Sequence, residues 1–334
     1  MSHSDSNRDV PEAHDEDSSF HRGERAVQQR IGVGEKLAAL GPKVIRDFMP
    51  DQHREFFAQL PFVIAATVDR EGQPWASVLA NPPGFITSPD PRRLDIQARP
   101  IQGDPLDETL ASGAPIGLLG IEPHTRRRNR VNGVVEEVAA QGFAMRVSQS
   151  FGNCPKYIQA REARYGAIND DGGAQPRANR SDRLDQAARK LIRRADTFFI
   201  ATAYPAAPGE NGRARGADVS HRGGKPGFVR IDDDDTLVAP DFVGNFFFNT
   251  LGNLLLNPRA GLLFIDFETD DLLYLAVDAE IIWEGKEVEA FAGAQRLLRF
   301  RVRQVRRVDA SLALRWGAVQ LSPFLAQTGA WPST

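Results

Sequence analysis

The sequence predicts a mainly β chain made of two copies of one unit, each with about six strands and few helices. Three observations predict it. Short β-branched or aromatic runs alternate with Gly and Pro turns, and the same order of runs occurs twice. Matched glycines also bound nearly equal intervals, roughly 33 residues from Gly84 to Gly117 and from Gly227 to Gly261, the size of a supersecondary repeat. In the first copy the order is FVIAATV, a turn at Gly72, WASVLA, GFIT, LDI and IGLLGI. In the second it is FFIATAY, a turn at Gly212, RGADVS, GFVRI, TLVAP and AGLLFI. Each copy then adds a strand pair, NRVNGVVEEV with FAMRVSQ and LLYLAVDAEII with FRVRQVRRV. Many short strands with such turns suit a barrel or sandwich, and continuous runs such as GLLFIDF suit strands covered on both faces.

The other segments follow in chain order. Residues 1–20 are polar and acidic, too poor in apolar surface to offset ordering, and read as a disordered tail. Residues 21–162 form the first unit, which opens with helices. Ala26, Val27, Ile31, Val33, Leu37 and Leu40 fall at helical spacing over 24–40. A second helix runs over 51–60, with Asp51 as N-cap after Pro50 and Pro61 ending it. Residues 163–182 are polar and Gly-rich and read as a linker. Residues 183–334 form the second unit, which begins with the helix DRLDQAARKLIRRA.

Composition bounds the function. Hydrophobic residues at 41% and charged residues at 25% of a 334-residue chain describe a globular protein of about two domains. A formal net charge of -3 argues against nucleic acid or an anionic membrane surface as partner. No run approaches the roughly twenty apolar residues of a membrane span, and MSHSDSNRDV lacks the apolar core of a signal peptide, so a cytoplasmic location is the expectation. Cys154 is the single cysteine, which excludes an internal disulfide or a thiolate metal cluster.

The second unit holds ADVSHRGGKPGFVRI and then LVAPDFVGNFFFNTLGNLLLNPRAGLLFIDF. This block resembles the pyridoxamine 5'-phosphate oxidase-related family of FMN-binding split barrels: a strand ending in a Ser/Arg turn, a Gly-Phe strand, an Asn-rich helix, then Asn-Pro-Arg and an apolar strand. The first unit, with HTRRRNRVNG and QSFGNCPKYIQ, resembles a diverged copy found in larger members. The resemblance implies two tandem split β-barrels forming an intramolecular pseudo-dimer, an FMN cofactor and oxidoreductase chemistry on a small molecule with a separate electron donor or acceptor. It leaves a further homodimer open, and related barrels bind haem or a deazaflavin instead.

The residues are compatible with a flavin phosphate site. Ser220, His221, Arg222, Gly223 and Gly224 offer a hydroxyl, a guanidinium and backbone open to close approach. Asn249 or Thr250 would cap the apolar helix that follows and leave N–H groups for an anion, with Asn253 one turn on. The same residues would equally serve as an exposed turn and an ordinary cap. Better-known members open that helix with Thr-Asn and then Ser-Arg-Lys, whereas here Leu251-Gly252-Asn253 follows, so Arg222 or a first-unit arginine must replace the basic ligands. Pyridoxamine phosphate oxidation, which needs a second phosphate pocket, is therefore not expected.

In the first unit Arg126, Arg128 and Arg130 would share one strand face, meeting an anion or forming a solvated edge. Lys156 and Tyr157 could border a ring or an anion, or simply pack at the surface. Cys154 reads as a small buried hydrophobe. His124 has no second histidine at metal-ligand spacing. The second unit carries the one complete phosphate cradle and the first supplies its opposite wall. No side chain is marked as a general acid or base.

Overall fold

The computed structural model describes residues 18–166, 178–204, 216–233, 236–309 and 311–332. Both the predicted tail up to residue 17 and the turn at Gly212 lie outside them. Residues 18–20 do not continue a tail, because Phe20 is buried against the Phe247 ring at 5.4 Å.

The first half runs α1 (Arg22–Arg30), α2 (Gly34–Val44), α3 (Asp51–Ala58), β1 (Phe62–Val68), β2 (Pro74–Ala80), β3 (Ile86–Thr87), β4 (Arg93–Ile96), α4 (Pro105–Thr109), β5 (Pro115–Glu122), β6 (Arg127–Ala139) and β7 (Gly142–Gly152). Two short strands follow, β8 (Ala163–Tyr165) and β9 (Ala178–Ser181). The second half runs α5 (Gln186–Arg194), β10 (Thr197–Tyr204), β11 (Gly216–Gly223), β12 (Arg230–Ile231), β13 (Thr236–Phe242), α6 (Asn249–Leu256), β14 (Arg259–Ile265), β15 (Leu272–Ile282), α7 (Lys286–Glu289), β16 (Ala294–Val308) and β17 (Leu314–Trp316).

The duplication is complete at the level of topology. One sheet has the order β2-β1-β5-β6-β7-β4-β3, the other β11-β10-β14-β15-β16-β13-β12, the same order strand for strand. Register matches too: Ala66 faces Gly117 as Ala201 faces Gly261. Each sheet encloses its own core, around Phe57, Leu118 and Met145 in the first half and Phe198, Leu262 and Phe300 in the second. A third cluster, including Phe62, Trp75, Leu119, Phe199, Leu263 and Tyr274, joins the halves. The chain is thus mainly β, two tandem split barrels packed as an internal pseudo-dimer.

Two glycines at equivalent positions make that packing close. A Cβ on Gly117 would stand 2.3 Å from the Ala217 carbonyl oxygen, and one on Gly261 would stand 2.3 Å from that of Pro74. Any side chain there would push the halves apart.

Several helix and linker expectations change. The single helix over 24–40 is two, because Gly32 adopts φ 74° and ends α1. Pro50, not Asp51, is the N-cap of α3. The segment 163–182 is not irregular at its ends, since β8 pairs with β17 and β9 with β16, which satisfies their backbone groups. Finally, α1 packs on the second half rather than the first. A Cβ on Gly23 would lie 2.2 Å from the Gly252 carbonyl oxygen of α6, and Val27 enters the second core. Among the described residues no helix is long and apolar enough to cross a membrane.

Candidate functional site

A solvent-open cleft lies where the halves meet. The second half contributes Ser220, His221, Arg222 and Gly223 from β11, Asp241 and Phe242 from the end of β13, the loop to α6, and Asn249 to Leu251. The first half contributes Arg128 and Arg130 from β6 and Asn153, Cys154, Lys156 and Tyr157 from the chain after β7. Ten sequence-predicted residues therefore converge on one cleft: Ser220, His221, Arg222, Gly223, Asn249, Thr250, Arg128, Arg130, Lys156 and Tyr157.

Two predicted residues do not line it. Asn253 is fully buried, donating to Thr202 Oγ1 at 3.0 Å and Asp218 Oδ2 at 2.8 Å, and so ties α6 to β10 and β11. Arg126 lies before β6 in a left-handed conformation, φ 57°, and so does not share a strand face with Arg128 and Arg130. Its guanidinium donates to the carbonyls of Ile158 and Gln320.

The cleft is cationic. Arg128, Arg130, Lys156 and Arg222 face one acidic lining residue, Asp241. Burial lowers Arg128 to about 10, with Cys154 opposing and Arg222 and Arg130 adding to the shift, so it stays charged at neutral pH. Its Nε donates to the Cys154 carbonyl at 2.6 Å. Arg222 is lowered by burial and raised by Asp241, whose Oδ1 is 3.3 Å from Nε without a hydrogen-bonding alignment. Arg130 is committed to the junction: its Nη1 donates to Asp218 Oδ1 at 2.8 Å, its Nη2 to the Val219 carbonyl at 2.8 Å and to Ser220 Oγ at 2.5 Å. Burial first, then Arg128, Arg222 and Arg161, push His221 well below its usual value, so its imidazole is neutral at pH 7.

The start of α6 faces this charge. Phe248, left-handed at φ 62°, is the N-cap and offers no side-chain acceptor. Asn249 and Thr250 are thus the first two helical residues rather than caps, and the first-turn N–H groups are left for another acceptor. The Asn249 side chain instead donates to Glu24 of α1, whose carboxyl is held well above the usual range by burial and by nearby Asp218. Tyr157, Phe246 and Phe248 all line the cleft with positive φ, strain of the kind that collects at ligand sites.

Gly223 serves differently from the expectation. Ser220 to Gly223 are strand, not turn, and a Cβ on Gly223 would stand 2.0 Å from the Tyr157 carbonyl oxygen. The glycine admits the first half's chain. Sequence reasoning missed Asp241, Asn245, Phe246 and Phe248, which carry no motif of their own.

Residues 49–171 match the family model described as pyridoxamine 5'-phosphate oxidase. The match falls on the first half, not on the second-half block that carries the resemblance in sequence. No curated protein matches. Among solved structures, HupZ of Group A Streptococcus is 18% identical, covering 40% of this chain and 98% of its own, with TM-score 0.29. A FAD-binding protein of Mesorhizobium loti is 13% identical, covering 40% and 99%, with TM-score 0.27. HutZ, the heme storage protein of Vibrio cholerae, is 16% identical, covering 43% and 99%, with TM-score 0.24.

Proposed function

We propose that this chain, a member of the pyridoxamine 5'-phosphate oxidase-related split-barrel family, binds one FMN in the cleft between its halves and works as an FMN-dependent oxidoreductase. The observation that carries the reading is the uncapped start of α6 opening onto Arg128 and Arg222. A phosphate dianion wants such cationic donors and free N–H groups. The buried Arg222 Nε, which makes no hydrogen bond although Asp241 lies 3.3 Å away, and the excess of lining cations fit a phosphorylated ligand.

In this reading Arg222, Arg128 and the first-turn N–H groups of α6 hold the phosphate. Tyr157, Phe242 and Phe246 supply aromatic wall for a planar ring. Bound FMN supplies hydride and single-electron transfer, while the protein fixes orientation and electrostatics. Neutral His221 can donate or accept a hydrogen bond at the cleft wall, but carries no charge there. Pyridoxamine phosphate is not the proposed substrate, because Arg130, a candidate for a second phosphate, is already engaged by Asp218 and Ser220. A small-molecule substrate, an external electron donor or acceptor and a cytoplasmic location belong to the same proposal.

A second reading, a non-catalytic haem carrier, draws on one feature: the neutral, buried imidazole of His221 at the cleft. His124, the other candidate ligand, is exposed and away from it. The visible spectrum of the purified chain, followed by FMN titration of the apo-protein, separates the readings. One equivalent of FMN is expected per chain. Two equivalent sites, or haem bands with no flavin uptake, would overturn the proposal.

A further inference from the structure

Asp241, the acidic residue of the cleft wall, stands between two arginines, Arg222 and Arg296, and only Arg222 reaches the cleft. It lies near the end of β13, cross-strand from Arg296 of β16. The register of that pair slips between Asp241 and Phe242, a bulge that re-aims side chains, and both residues line the cleft. Asp241 Oδ1 lies 3.3 Å from Arg222 Nε, and Oδ2 lies 3.7 Å from Arg296 Nε. Neither contact is aligned as a hydrogen bond, and both Nε atoms are buried without one. Arg296 keeps a second buried nitrogen, Nη1, in the same state. The side chains of Asp241 and Arg296 are both more than nine-tenths buried.

Two guanidiniums against one carboxylate leave a net positive charge in a buried triad. The carboxylate is split between them, one oxygen toward each, so neither arginine is neutralised. Arg222 keeps its charge for the cleft, with Nη1 donating to the His221 carbonyl at 3.3 Å. Arg296 is held back from it. Its guanidinium stands over the Phe248 ring at 5.3 Å and the Trp283 ring at 5.5 Å, and of these three residues Phe248 alone lines the cleft. Buried N–H groups without a partner are costly, and a carboxylate that closes the remaining gap to Arg296 recovers that cost. A phosphate dianion on Arg222 supplies the push, because it replaces Asp241 as that arginine's counter-ion and repels it.

We propose that Arg296 is a positioning residue for the anion site: it holds the Asp241 carboxylate back from Arg222 and receives it when a phosphate group arrives. The inference rests on the reading of the cleft as a phosphate site. Without Arg296 the carboxylate loses its inner partner and closes on Arg222, so the arginine that meets the ligand is neutralised. Without Asp241 as well, Arg222 has no internal anion to pair with and is free again. The triad therefore acts on the phosphate of FMN and not on riboflavin, which lacks it.

The test is titration of the full chain and its variants with FMN and riboflavin by flavin fluorescence, and with inorganic phosphate by calorimetry. Arg296→Met is expected to weaken FMN and phosphate roughly tenfold or more, and riboflavin less than about twofold. Arg296→Gln serves if the methionine variant does not fold. Adding Asp241→Asn should restore FMN to the wild-type affinity or better, and Arg296→Lys, which keeps the charge, should retain most of it. Equal losses for both flavins, or a loss that Asp241→Asn does not relieve, would overturn the triad while the cofactor reading stands. The same pattern with phosphate but no FMN uptake would support the triad and strike the cofactor reading. A wild-type chain that takes up neither FMN nor phosphate would overturn both.

Discussion

The same corner occurs twice in this molecule, once open and once filled. Register places Ser77 of β2 where the second half has Ser220, Trp75 where it has Asp218, and Tyr274 of β15 where the first half has Arg130. In the open corner Arg130, held by Asp218, and Ser220 line the back of a cationic cleft below the uncapped, eight-residue α6. In the filled corner the helix is α4, five residues long, and Asp104 caps it. Ser77 Oγ donates to Asp104 Oδ1 at 2.5 Å, Tyr274 OH to Oδ2 at 2.7 Å and the Leu106 N–H to Oδ1 at 2.7 Å. Trp75 closes the space, with Arg306 over its ring at 4.6 Å. One helix start carries its own anion as a side chain; the other has no side-chain cap. A single topology thus yields a filled corner and an open one by exchanging a few side chains.

The largest expected effect comes from removing one half. Residues 183–334 alone should self-associate or aggregate, because the junction face around Phe199, Leu263 and Tyr274 would lose its mate. A monodisperse fragment that takes up FMN as tightly as the whole chain would show that the first half is no wall of the cleft. Within the intact chain, Trp75→Ala should cost about 3–5 kcal/mol in denaturant unfolding, the range for a large buried aromatic. Its FMN affinity should stay near wild type, and a loss beyond tenfold would mean the corners are coupled.

Asp104 sharpens the contrast through pH. Burial raises its carboxyl from 3.8 to about 6, against the opposing hydrogen bonds from Ser77, Leu106 and Tyr274. The folded protein therefore holds this proton where the unfolded chain has released it. The group's contribution is most favourable below about pH 4 and is lost as pH rises to about 6, a change of roughly 3 kcal/mol at most. Asp104→Asn should flatten that part of the stability profile; an unchanged slope between pH 4 and 6 would assign it to another group. The smallest effect concerns the open corner. Arg222→Ala should weaken FMN by about 1.5–3 kcal/mol and riboflavin far less, as measured by fluorescence titration. Equal losses for both flavins would place Arg222 against the ring or in the fold instead of at the phosphate.

The repeat was legible because it is written in local terms. FVIAATV and FFIATAY, and the glycines at 117 and 261, keep their spacing whatever the halves do to one another. The convergence of Arg128, Tyr157 and Arg222 was legible only through the resemblance, since they come from different halves. What could not be read were contacts between distant segments. Nothing in RGER announces that Gly23 crosses Gly252, nor that Glu24 meets Asn249. Asn253 and Arg126 carry the right chemistry in the right neighbourhood, but Asn253 points into the fold and the left-handed backbone at Arg126 takes it off the strand face. Phe248 was missed for the opposite reason: a bulky aromatic in a left-handed N-cap contradicts local preference.

The crossing of α1 on α6 has a consequence for how the molecule is made. The ribosome delivers α1 before α6, and its seat at Gly252 lies well over two hundred residues later in the chain. Until that seat exists, Gly23 has no groove to enter and Glu24 has no amide to receive. Closing so long a loop is entropically slow, so a helix made ahead of both sheets is among the last to dock. The start of α6 is then lined on its far side only after its own segment has been made and α1 has folded back onto it, which makes this docking a late step of assembly.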